Sequence, residues 1–287
     1  MNPSVFGYPM AKTLRPFSLR RKMKNPGIMG VLNATPDSFH GPSRQLSVEQ
    51  GIVNGLKMIE NGAEIIDIGG ESTRPGSEPV TIKEEIRRVI PIIQGICARA
   101  ENPLISIDTR NVEVARKALE AGASMINDVS GLRDAAMKEL VLDSRVPVCI
   151  MHMLGDPKTM QSNPVYSNVV EEVCTVLQKK ATELIDAGHP SDLICLDPGI
   201  GFGKTLEHNI QLLKSHEILR GEHDLAVLWG VSRKTMIGQM IGQDTSEDRL
   251  YGTLGVAAFA EQQSIDWLRV HDVQAHTDLL SVVRKLR

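Results

Sequence analysis

The stretch LISIDTRNVEVARKALEAGASMINDVS, residues 104–130, decides the fold class of this chain. It contains two short apolar runs rich in isoleucine and valine, Leu104–Thr109 and Met125–Ser130. Between them lies an amphipathic segment, Val112–Ala121, followed directly by Gly122. Short apolar runs are typical of buried strands, and a glycine after an amphipathic segment is typical of a helix end. The stretch therefore predicts a strand, a helix and a second strand in succession.

The same rhythm extends outward in both directions. Near-continuous apolar runs indicate strands that are covered on both faces, as in a parallel sheet. The predicted strands are Ile28–Asn33, Glu64–Gly70, Leu104–Thr109, Met125–Ser130, Val146–His152, Leu193–Gly199, Leu225–Ser232 and Trp267–Asp272. Helical patterns between them include Ser47–Asn61, Ile82–Ala100, Val112–Ala121, Val169–Ala187 and Leu250–Gln262. Eight such units predict the α/β class with a single (β/α)8 TIM barrel, and a doubly wound open sheet is the alternative.

Composition narrows the class of protein further. Of 287 residues, 41% are hydrophobic and 23% charged, with a net charge of −3, which is typical of a globular protein with a large core. A nucleic-acid scaffold would carry a strongly basic stripe, whereas the net charge of this chain is slightly negative. The sequence contains no run of 18 apolar residues, so it predicts no membrane-spanning helix. We therefore expect small-molecule substrates, and neither a nucleic-acid nor a membrane partner.

The ends of the chain and its cysteines bear on its location. Residues 1–27 form a basic leader or extension, and residues 28–287 form the barrel domain. No apolar segment of a signal peptide follows the leader, so we expect a cytoplasmic protein. Cys97, Cys149, Cys174 and Cys195 lie far apart in sequence, and most are in or beside apolar runs, which predicts reduced thiols rather than metal ligands or disulfides.

Polar residues follow the predicted strands, and they indicate where function resides. In a barrel the C-terminal ends of the strands converge on one mouth. Asp108, Asn127 and Asp197 would suit a flat heterocycle that displays amide and amino groups. Cations in the same region would suit a phosphate or pyrophosphate. The strand-end residues are Asn33, Asp67, Glu71, Asp108, Asn127, His152, Asp197, Ser232, Arg269 and His271, and the cations are Arg74, Lys234, Arg269 and His271.

Two segments resemble other kinds of site. The run Asp197–Thr205 looks like a phosphate-binding loop, but Pro198 occupies the position of the first glycine that this loop needs. Its glycines are better explained by a tight loop over the mouth that holds Phe202 against a ligand. His152 lacks a second ligand at metal-binding spacing, which favours a core or rim histidine.

The ordered motifs closely resemble the dihydropteroate synthase family over about residues 28–273. They are Gly30-Val-Leu-Asn-Ala-Thr-Pro-Asp-Ser-Phe39, Asp67-Ile-Gly-Gly-Glu-Ser-Thr-Arg-Pro-Gly76, Ser106-Ile-Asp-Thr109, Ile126-Asn-Asp-Val129, Met151-His-Met153, Asp197-Pro-Gly-Ile-Gly-Phe-Gly-Lys204, Gly230-Val-Ser-Arg-Lys234 and Arg269-Val-His-Asp-Val273. Each motif is weak alone, and together they are specific.

The resemblance implies an enzyme, a transferase of folate biosynthesis that is blocked by sulfonamides. It would condense 6-hydroxymethyl-7,8-dihydropterin pyrophosphate with p-aminobenzoate to give 7,8-dihydropteroate and pyrophosphate. Asp108, Lys234 and Arg269 would be catalytic. The pterin would contact Asp108, Asn127, Met153, Asp197, Lys234 and Arg269; the pyrophosphate Asn33, Arg269 and His271; and p-aminobenzoate Thr73, Arg74, Pro75, Phe202 and Ser232. Asn33 would also bind Mg²⁺, the expected cofactor.

Two predicted lids cover the mouth, residues Ala34–Ser47 and Ser72–Val80, because both combine proline and glycine with polar sequence. The first departs from the family pattern. It reads Ser38-Phe-His-Gly-Pro-Ser43, so the family's loop aspartate is missing and His40 lies there instead. We expect His40 to contribute nothing.

Other functions and assemblies stay open at this point. A methyltetrahydrofolate-binding methyltransferase domain on the same barrel would share the pterin-reading residues, but it gives no reason for Ser232-Arg-Lys234. A pterin-binding module that has lost activity is a second alternative. The apolar stretch Leu254–Phe259 reads as core but could equally pair subunits, and the resemblance implies a homodimer.

Overall fold

The computed structural model describes residues 18–22, 25–34, 44–71, 80–155 and 159–286. Most of both predicted lids lies outside these ranges, and with them His40, Thr73, Arg74 and Pro75. In the described part, no helix has both the length and the apolar character that crossing a membrane requires.

Eight parallel strands close into a barrel in the order in which they occur along the chain. The first strand pairs with the second on one side and with the last on the other. The strands are β1 Gly27–Asn33, β2 Ile65–Gly69, β3 Ile105–Asp108, β4 Met125–Asp128, β5 Val148–Met151, β6 Ile194–Asp197, β7 Ala226–Trp229 and β8 Trp267–Val270. The predicted (β/α)8 barrel is confirmed, and closure excludes the open doubly wound sheet, which needs two edge strands.

Apart from β1, the strands end earlier than the apolar runs predicted. β7 ends at Trp229, whereas its run continued to Ser232. Val231 and Ser232 have left the sheet but are still buried. Apolar character reports burial rather than strand pairing, and the predictions therefore overstated the strands at the mouth of the barrel.

Ten α-helices occur in the described part of the chain. They are α1 Arg44–Glu60, α2 Ile82–Arg99, α3 Val112–Ala121, α4 Ala135–Ser144, α5 Val169–Asp186, α6 Leu206–Lys214, α7 His216–Arg220, α8 Thr235–Ile241, α9 Leu250–Gln262 and α10 Val273–Leu286. The predicted bounds of α3 and α9 are confirmed. Gly62, Gly122 and Gly188, which follow helices, have φ angles of 99°, 116° and 92°. This left-handed conformation is the one that glycine adopts without strain.

Alternation along the strands creates two cores. Successive side chains of a strand point to opposite faces, so one set enters the barrel and the other faces the helices. Ile66 and Ile68 belong to the large cluster that includes helix residues, whereas Ile65 packs with Met29 and Met125 inside the barrel. Each strand thereby buries both of its faces, as its near-continuous apolar run predicted.

The cysteines follow this packing. Cys149 and Cys195 lie inside the barrel, Cys174 is buried on α5, and Cys97 is partly exposed. All four are free thiols, as predicted.

Residues 18–22, at the end of the predicted leader, pack against the N-terminal end of the barrel. Leu19 is fully buried in the interior cluster, and its carbonyl oxygen accepts a hydrogen bond from Trp267 Nε1 at 2.8 Å. Arg20 Nη1 forms an ion pair with Asp266 Oδ1, also at 2.8 Å. Arg220 Nη1 reaches Asp266 Oδ2 at 2.6 Å. This segment closes the end of the barrel opposite the predicted mouth.

We expect Leu19→Ala to destabilise the protein by about 2–5 kcal/mol, because it leaves a cavity inside the barrel. Catalytic parameters should not change, since the cavity lies at the end opposite the strand-end polar residues. The free energy of unfolding from urea titration measures the effect. The control is Val165→Ala at an exposed position, which should cost less than about 0.5 kcal/mol. Equal stability of the two variants would refute the closing role of Leu19.

Candidate active site

Strand alternation brings the predicted polar residues into the barrel at its C-terminal end. Asn127, Asp197 and Arg269 each lie two residues after an interior side chain, namely Met125, Cys195 and Trp267. Residues two apart on a strand share a face. Asp67 follows interior Ile65 in the same way, and Asp108 follows the helix-facing Ile107. Residues from five strands therefore converge on one site.

Arg269 is the centre of this site. Its Nε donates to Asp67 Oδ2 at 2.6 Å, and its Nη2 donates to Asp108 Oδ2 at 2.5 Å. Asn127 Nδ2 donates to the same Asp67 oxygen at 3.0 Å. Although burial opposes it, the negative charges of Asp67 and Asp108 raise the pKa of Arg269 above its ordinary value. The guanidinium is thus a permanent cation held between two carboxylates.

Asp108 has an unusually high proton affinity for a carboxyl group. Burial raises its pKa to about 7, and the charge of Arg269 offsets only part of this effect. The negative charges of Asp67, Glu85 and Asp128 raise the pKa further. Carboxyl groups with strongly perturbed pKa values cluster at functional sites. A positive charge that develops next to Asp108 would therefore be stabilised.

Asp197 and Lys234 form a second charged pair beside this centre. Burial raises the pKa of Asp197, and the charge of Lys234 partly opposes that effect. Burial likewise lowers the pKa of Lys234 to about 8. Lys234 Nζ donates to the carbonyl oxygen of Ile200 at 2.5 Å and lies 4.4 Å from the centroid of the Phe202 ring. The site therefore offers a carboxylate, an ammonium group and an aromatic face close together.

The glycine-rich segment after β6 folds into a tight loop, as predicted. Gly199, Gly201 and Gly203 have φ angles of 66°, 83° and 63°. A Cβ atom on Gly199 would lie 1.8 Å from the carbonyl oxygen of His152, so only glycine fits there. Asp197 Oδ1 accepts a hydrogen bond from the Gly199 backbone N–H at 2.7 Å. The loop geometry thus follows from its glycines and the strand-end aspartate.

Lys204 anchors this loop. Its buried Nζ donates to the carbonyl oxygens of Gly199 and Phe202 at 3.1 and 3.0 Å, and it contacts His152 Nδ1 at 3.1 Å. Burial lowers the pKa of Lys204 to about 7 and that of His152 to about 3, so His152 is neutral and accepts. His152 is a buried rim histidine, as expected, and the described part contains no cluster of three His, Cys, Asp or Glu side chains suited to a metal ion.

At the rim, Ser232 and His271 contact each other. Ser232 Oγ accepts a hydrogen bond from the backbone N–H of His271 at 3.1 Å and lies 3.0 Å from His271 Nδ1. The predictions gave these two residues to different ligands, p-aminobenzoate and pyrophosphate. Asn33 ends β1, the strand next to β8, which carries Arg269. Ser232 and His271 follow the ends of β7 and β8, so these two residues and Asn33 belong to neighbouring strands of the closed barrel.

An apolar wall completes the described part of the site. Met153, predicted to contact the pterin, packs with Val129, Met151 and Met160, and Phe202 lies against this cluster. The remaining predicted contacts, Thr73, Arg74 and Pro75, lie outside the described residues.

Sequence reasoning missed the contacts of three polar residues, Asp67, Lys204 and Glu71. Asp67 was recognised as a strand-end residue but received no role, although it binds both Arg269 and Asn127. Lys204 was seen only as the end of a false phosphate loop. Glu71, also a strand-end residue, pairs with Arg110 at 3.0 Å and accepts from the backbone N–H of Val80, where the second predicted lid ends. For Asp67 a signal was present, because counting two residues on from Ile65 places it inside the barrel.

Fold and site together define a (β/α)8 barrel enzyme with a buried cluster of charged and amide side chains at the C-terminal ends of its strands. A model of the family described as "Pterin binding enzyme" matches residues 29–271. The chain belongs to this family and, within it, to the dihydropteroate synthases.

Individual relatives agree with this membership. Dihydropteroate synthase of Haemophilus influenzae is 42% identical over 258 residues, which are 90% of this chain and 92% of the relative. The structure resembles that of Xanthomonas albilineans dihydropteroate synthase with 4-aminobenzoic acid, at a TM-score of 0.85, 41% identity and coverage of 91% and 93% of the two chains. The same enzyme with 7,8-dihydropteroate matches at a TM-score of 0.82, 39% identity and coverage of 91% and 94%.

The raised pKa of Asp108 predicts that this residue destabilises the fold at high pH. The folded chain binds the Asp108 proton more tightly than the unfolded chain, so the stability contributed by this group falls as the pH rises towards about 7. We expect Asp108→Asn to raise the thermal unfolding temperature by a few degrees at pH 8 and by much less at pH 4.

The matched control is Asp266→Asn at the opposite end of the barrel. Asp266 bonds two arginines, Arg20 and Arg220, so its neutralisation should lower the unfolding temperature at pH 8. Differential scanning fluorimetry of both variants at the two pH values measures the effect. A stabilisation by Asp108→Asn that is the same at both pH values would contradict the ionisation argument.

Proposed function

We propose that this chain condenses 6-hydroxymethyl-7,8-dihydropterin pyrophosphate with p-aminobenzoate, giving 7,8-dihydropteroate and pyrophosphate. The observation that carries the proposal is the convergence of Asp108, Asn127, Asp197, Lys234 and Arg269 on one buried site. Membership of the dihydropteroate synthases agrees with it.

The pterin ring suits the buried half of this site. Its guanidine-like edge carries several N–H groups, and carboxylates such as Asp108 and Asp197 accept parallel hydrogen bonds from such an edge. The Asn127 amide adds both an acceptor and a donor. Arg269 would stack against the ring face, and Met153 belongs to the adjoining apolar wall. The ring would then lie between charged groups that bind its edge and apolar groups that bind its faces.

The pyrophosphate suits the rim. Arg269 and His271 would hold it, and Asn33 would bind both the anion and Mg²⁺. The donor set fits this ion, because Mg²⁺ keeps several waters and usually takes few protein oxygens besides substrate phosphates. Bound there, Mg²⁺ would neutralise charge on the leaving pyrophosphate. The protein then needs to supply only one amide oxygen, that of Asn33.

The chemistry follows from the charges. The bond between the exocyclic methylene carbon and the pyrophosphate oxygen breaks, and pyrophosphate leaves with the electron pair. The methylene becomes a cation that is delocalised into the dihydropterin. Asp108, fixed by Arg269, stabilises this developing charge without needing to reorganise. The p-aminobenzoate nitrogen then forms the new C–N bond and loses its proton, so the route resembles an SN1 substitution.

The p-aminobenzoate molecule would bind on the side of the Phe202 ring and Ser232. By family resemblance, Thr73, Arg74 and Pro75, which lie outside the described residues, would also contact p-aminobenzoate. The first lid lacks the family's aspartate, and we expect His40 to take no part.

Two alternative functions are less well supported. A methyltetrahydrofolate-binding methyltransferase would leave Ser232 and Lys234 without a role, although both line the site. A pterin-binding module that has lost catalysis would not need the charged partners that surround Asp108. The dihydropteroate synthase relatives give neither alternative support.

We also propose that the protein is a homodimer through the outer face of α9. Val256 and Ala257 of the predicted stretch are buried, and Phe259 stacks on Trp229, so this stretch is mainly core. The opposite face is different, because Tyr251 is 82% exposed and Gly255 is exposed too. Met240 and Ile241 of the neighbouring α8 are also exposed. A second copy would cover this apolar surface.

Cytoplasmic location stays a prediction of the sequence.

Product formation tests the activity. Incubation of the protein with the pterin pyrophosphate, Mg²⁺ and radiolabelled p-aminobenzoate should give labelled 7,8-dihydropteroate, and chelation of Mg²⁺ should stop it. We expect Asp108→Asn to lower kcat by about 100-fold, because charge stabilisation acts in the transition state. The dissociation constant of the pterin pyrophosphate, measured calorimetrically without p-aminobenzoate, should change by less than about 5-fold.

The control for this substitution is Asp143→Asn on the exposed side of α4, which should leave both quantities unchanged. Equal losses in kcat and in binding would reduce Asp108 to a ring-binding role. No labelled product from the wild type, with the pterin still bound, would favour the non-catalytic module.

The oligomeric state tests the α9 surface. Light scattering after gel filtration should give twice the chain mass of 31.5 kDa for the wild type and a single chain mass for Tyr251→Glu. The substitution puts a charge into the apolar contact, where it would have no partner. Val165→Glu, at another exposed apolar position, should remain dimeric. A monomeric wild type, or a dimeric Tyr251→Glu variant, would rule out this interface.

A further inference from the structure

We propose that Asp67 is a positioning residue for the reaction: it holds Arg269 and Asn127 in place and competes with Asp108 for the charge of Arg269. The proposal rests on the proposed function for its kinetic consequence, but not for its electrostatic one. It concerns a residue in the middle of β2 that has no contact with the reacting atoms in the scheme above.

Asp67 makes its side-chain hydrogen bonds to two residues of the site, Arg269 and Asn127. One oxygen, Oδ2, accepts from Arg269 Nε at 2.6 Å and from Asn127 Nδ2 at 3.0 Å. The other oxygen, Oδ1, is buried and accepts no hydrogen bond from the described residues. A buried carboxylate in a purely structural role usually satisfies both oxygens. Asp67 instead gives its bonding capacity to two residues that the proposed function places against the pterin.

The shared guanidinium explains the charge state of the site. Asp67 and Asp108 bind the same side chain, Arg269, through different nitrogens. This group of three carries one negative charge in excess when both carboxyl groups are ionised. The charges of Glu85 from α2 and Asp128 from β4 also act on Asp108, and Asp108 acts in turn on Lys234. Asp67 is therefore one of several anions that keep Asp108 incompletely neutralised.

The two aspartates would therefore have different roles. If Asp108 had Arg269 to itself, the pair would be neutral and would attract a developing cation weakly. With Asp67 on the other side of the guanidinium, Arg269 keeps its position but its charge is shared. Above its pKa, Asp108 then carries negative charge that stabilises the pterin methylene cation, and the forming cation offsets the excess charge of the group.

Asp67→Asn is the variant that separates charge from shape. Asn keeps an oxygen that can accept from Arg269 and Asn127, but it removes the negative charge. Arg269 then serves Asp108 alone, and the pKa of Asp108 should fall by about 1 unit. We expect the acid limb of the kcat/KM profile to move to lower pH by the same amount. On the plateau above it, kcat should fall by about 10-fold, with less than about 3-fold change in the KM for the pterin.

A direct measurement avoids dependence on activity. The ¹³C carboxyl signal of Asp108 in aspartate-labelled, ligand-free protein can be titrated in the wild type and in Asp67→Asn, with Asp108→Asn used to assign the signal. A lower pKa of Asp108 in Asp67→Asn supports the proposal. An unchanged pKa overturns it, even when kcat falls. If the wild type makes no product, the proposed function fails, and this titration still tests the charge sharing.

Two further variants complete the test. Asp266→Asn neutralises a buried aspartate that also binds two arginines, but at the other end of the barrel, and it should leave the Asp108 pKa and the acid limb unchanged. If Asp67→Asn does not fold, Asp67→Glu keeps the charge and displaces the guanidinium. Its acid limb should stay within about 0.5 unit of the wild type while kcat falls. Wild-type kcat in Asp67→Glu would overturn the positioning role.

Discussion

Closure of the sheet is the constraint on which the rest of this molecule depends. A strand points alternate side chains to opposite faces, and a closed barrel converts one of those faces into an enclosed interior. Met29, Ile65 and Trp267 fill that interior near its N-terminal end. On four of the strands, the next inward position, two residues along, carries a polar side chain of the site, namely Asp67, Asn127, Asp197 or Arg269. The same alternation thus produces an apolar core and a charged mouth only two residues apart along these strands. No separate domain is needed to build the site.

Burial gives these charged groups their chemical properties. Removing a carboxylate from water raises its pKa unless a partner compensates, and here the partner is shared. Asp108 therefore has a pKa of about 7, and Lys234 has one of about 8. A fold optimised for stability alone would replace or pair these groups fully. In the proposed mechanism, the destabilising charge at Asp108 is the feature that suits the site to a cationic transition state.

The sequence predicted the barrel and most of the site because both follow from local patterns. Apolar runs located the strands, and the residue at the end of each run supplied Asp108, Asn127 and Asp197. Contacts between distant segments could not be predicted in this way. The bond between Asp67 and Arg269 joins β2 to β8, and the three acceptors of Lys204 depend on the path of a glycine-rich loop. Leu19 lies in a segment whose composition suggested only a basic leader. Its burial could not be predicted from that segment, because it depends on packing against the N-terminal end of the barrel.

A cluster of arginine and aspartate side chains lies at each end of β8, and the two clusters differ in their balance of charge. At the N-terminal end, Asp266 uses both oxygens: Oδ1 accepts from Arg20 and the Arg21 backbone, and Oδ2 accepts from Arg220 and the Val227 backbone. Its charge is fully compensated, and the cluster ties the N-terminal segment to the barrel. At the C-terminal end the ratio is reversed, since two carboxylates face the single guanidinium of Arg269. The aspartate with two arginine partners ties two chain segments together. The arginine with two aspartate partners leaves an excess of negative charge. The strands of the barrel wall hold all three groups of the second arrangement, and in the proposed mechanism the positive charge of the substrate balances the excess negative charge.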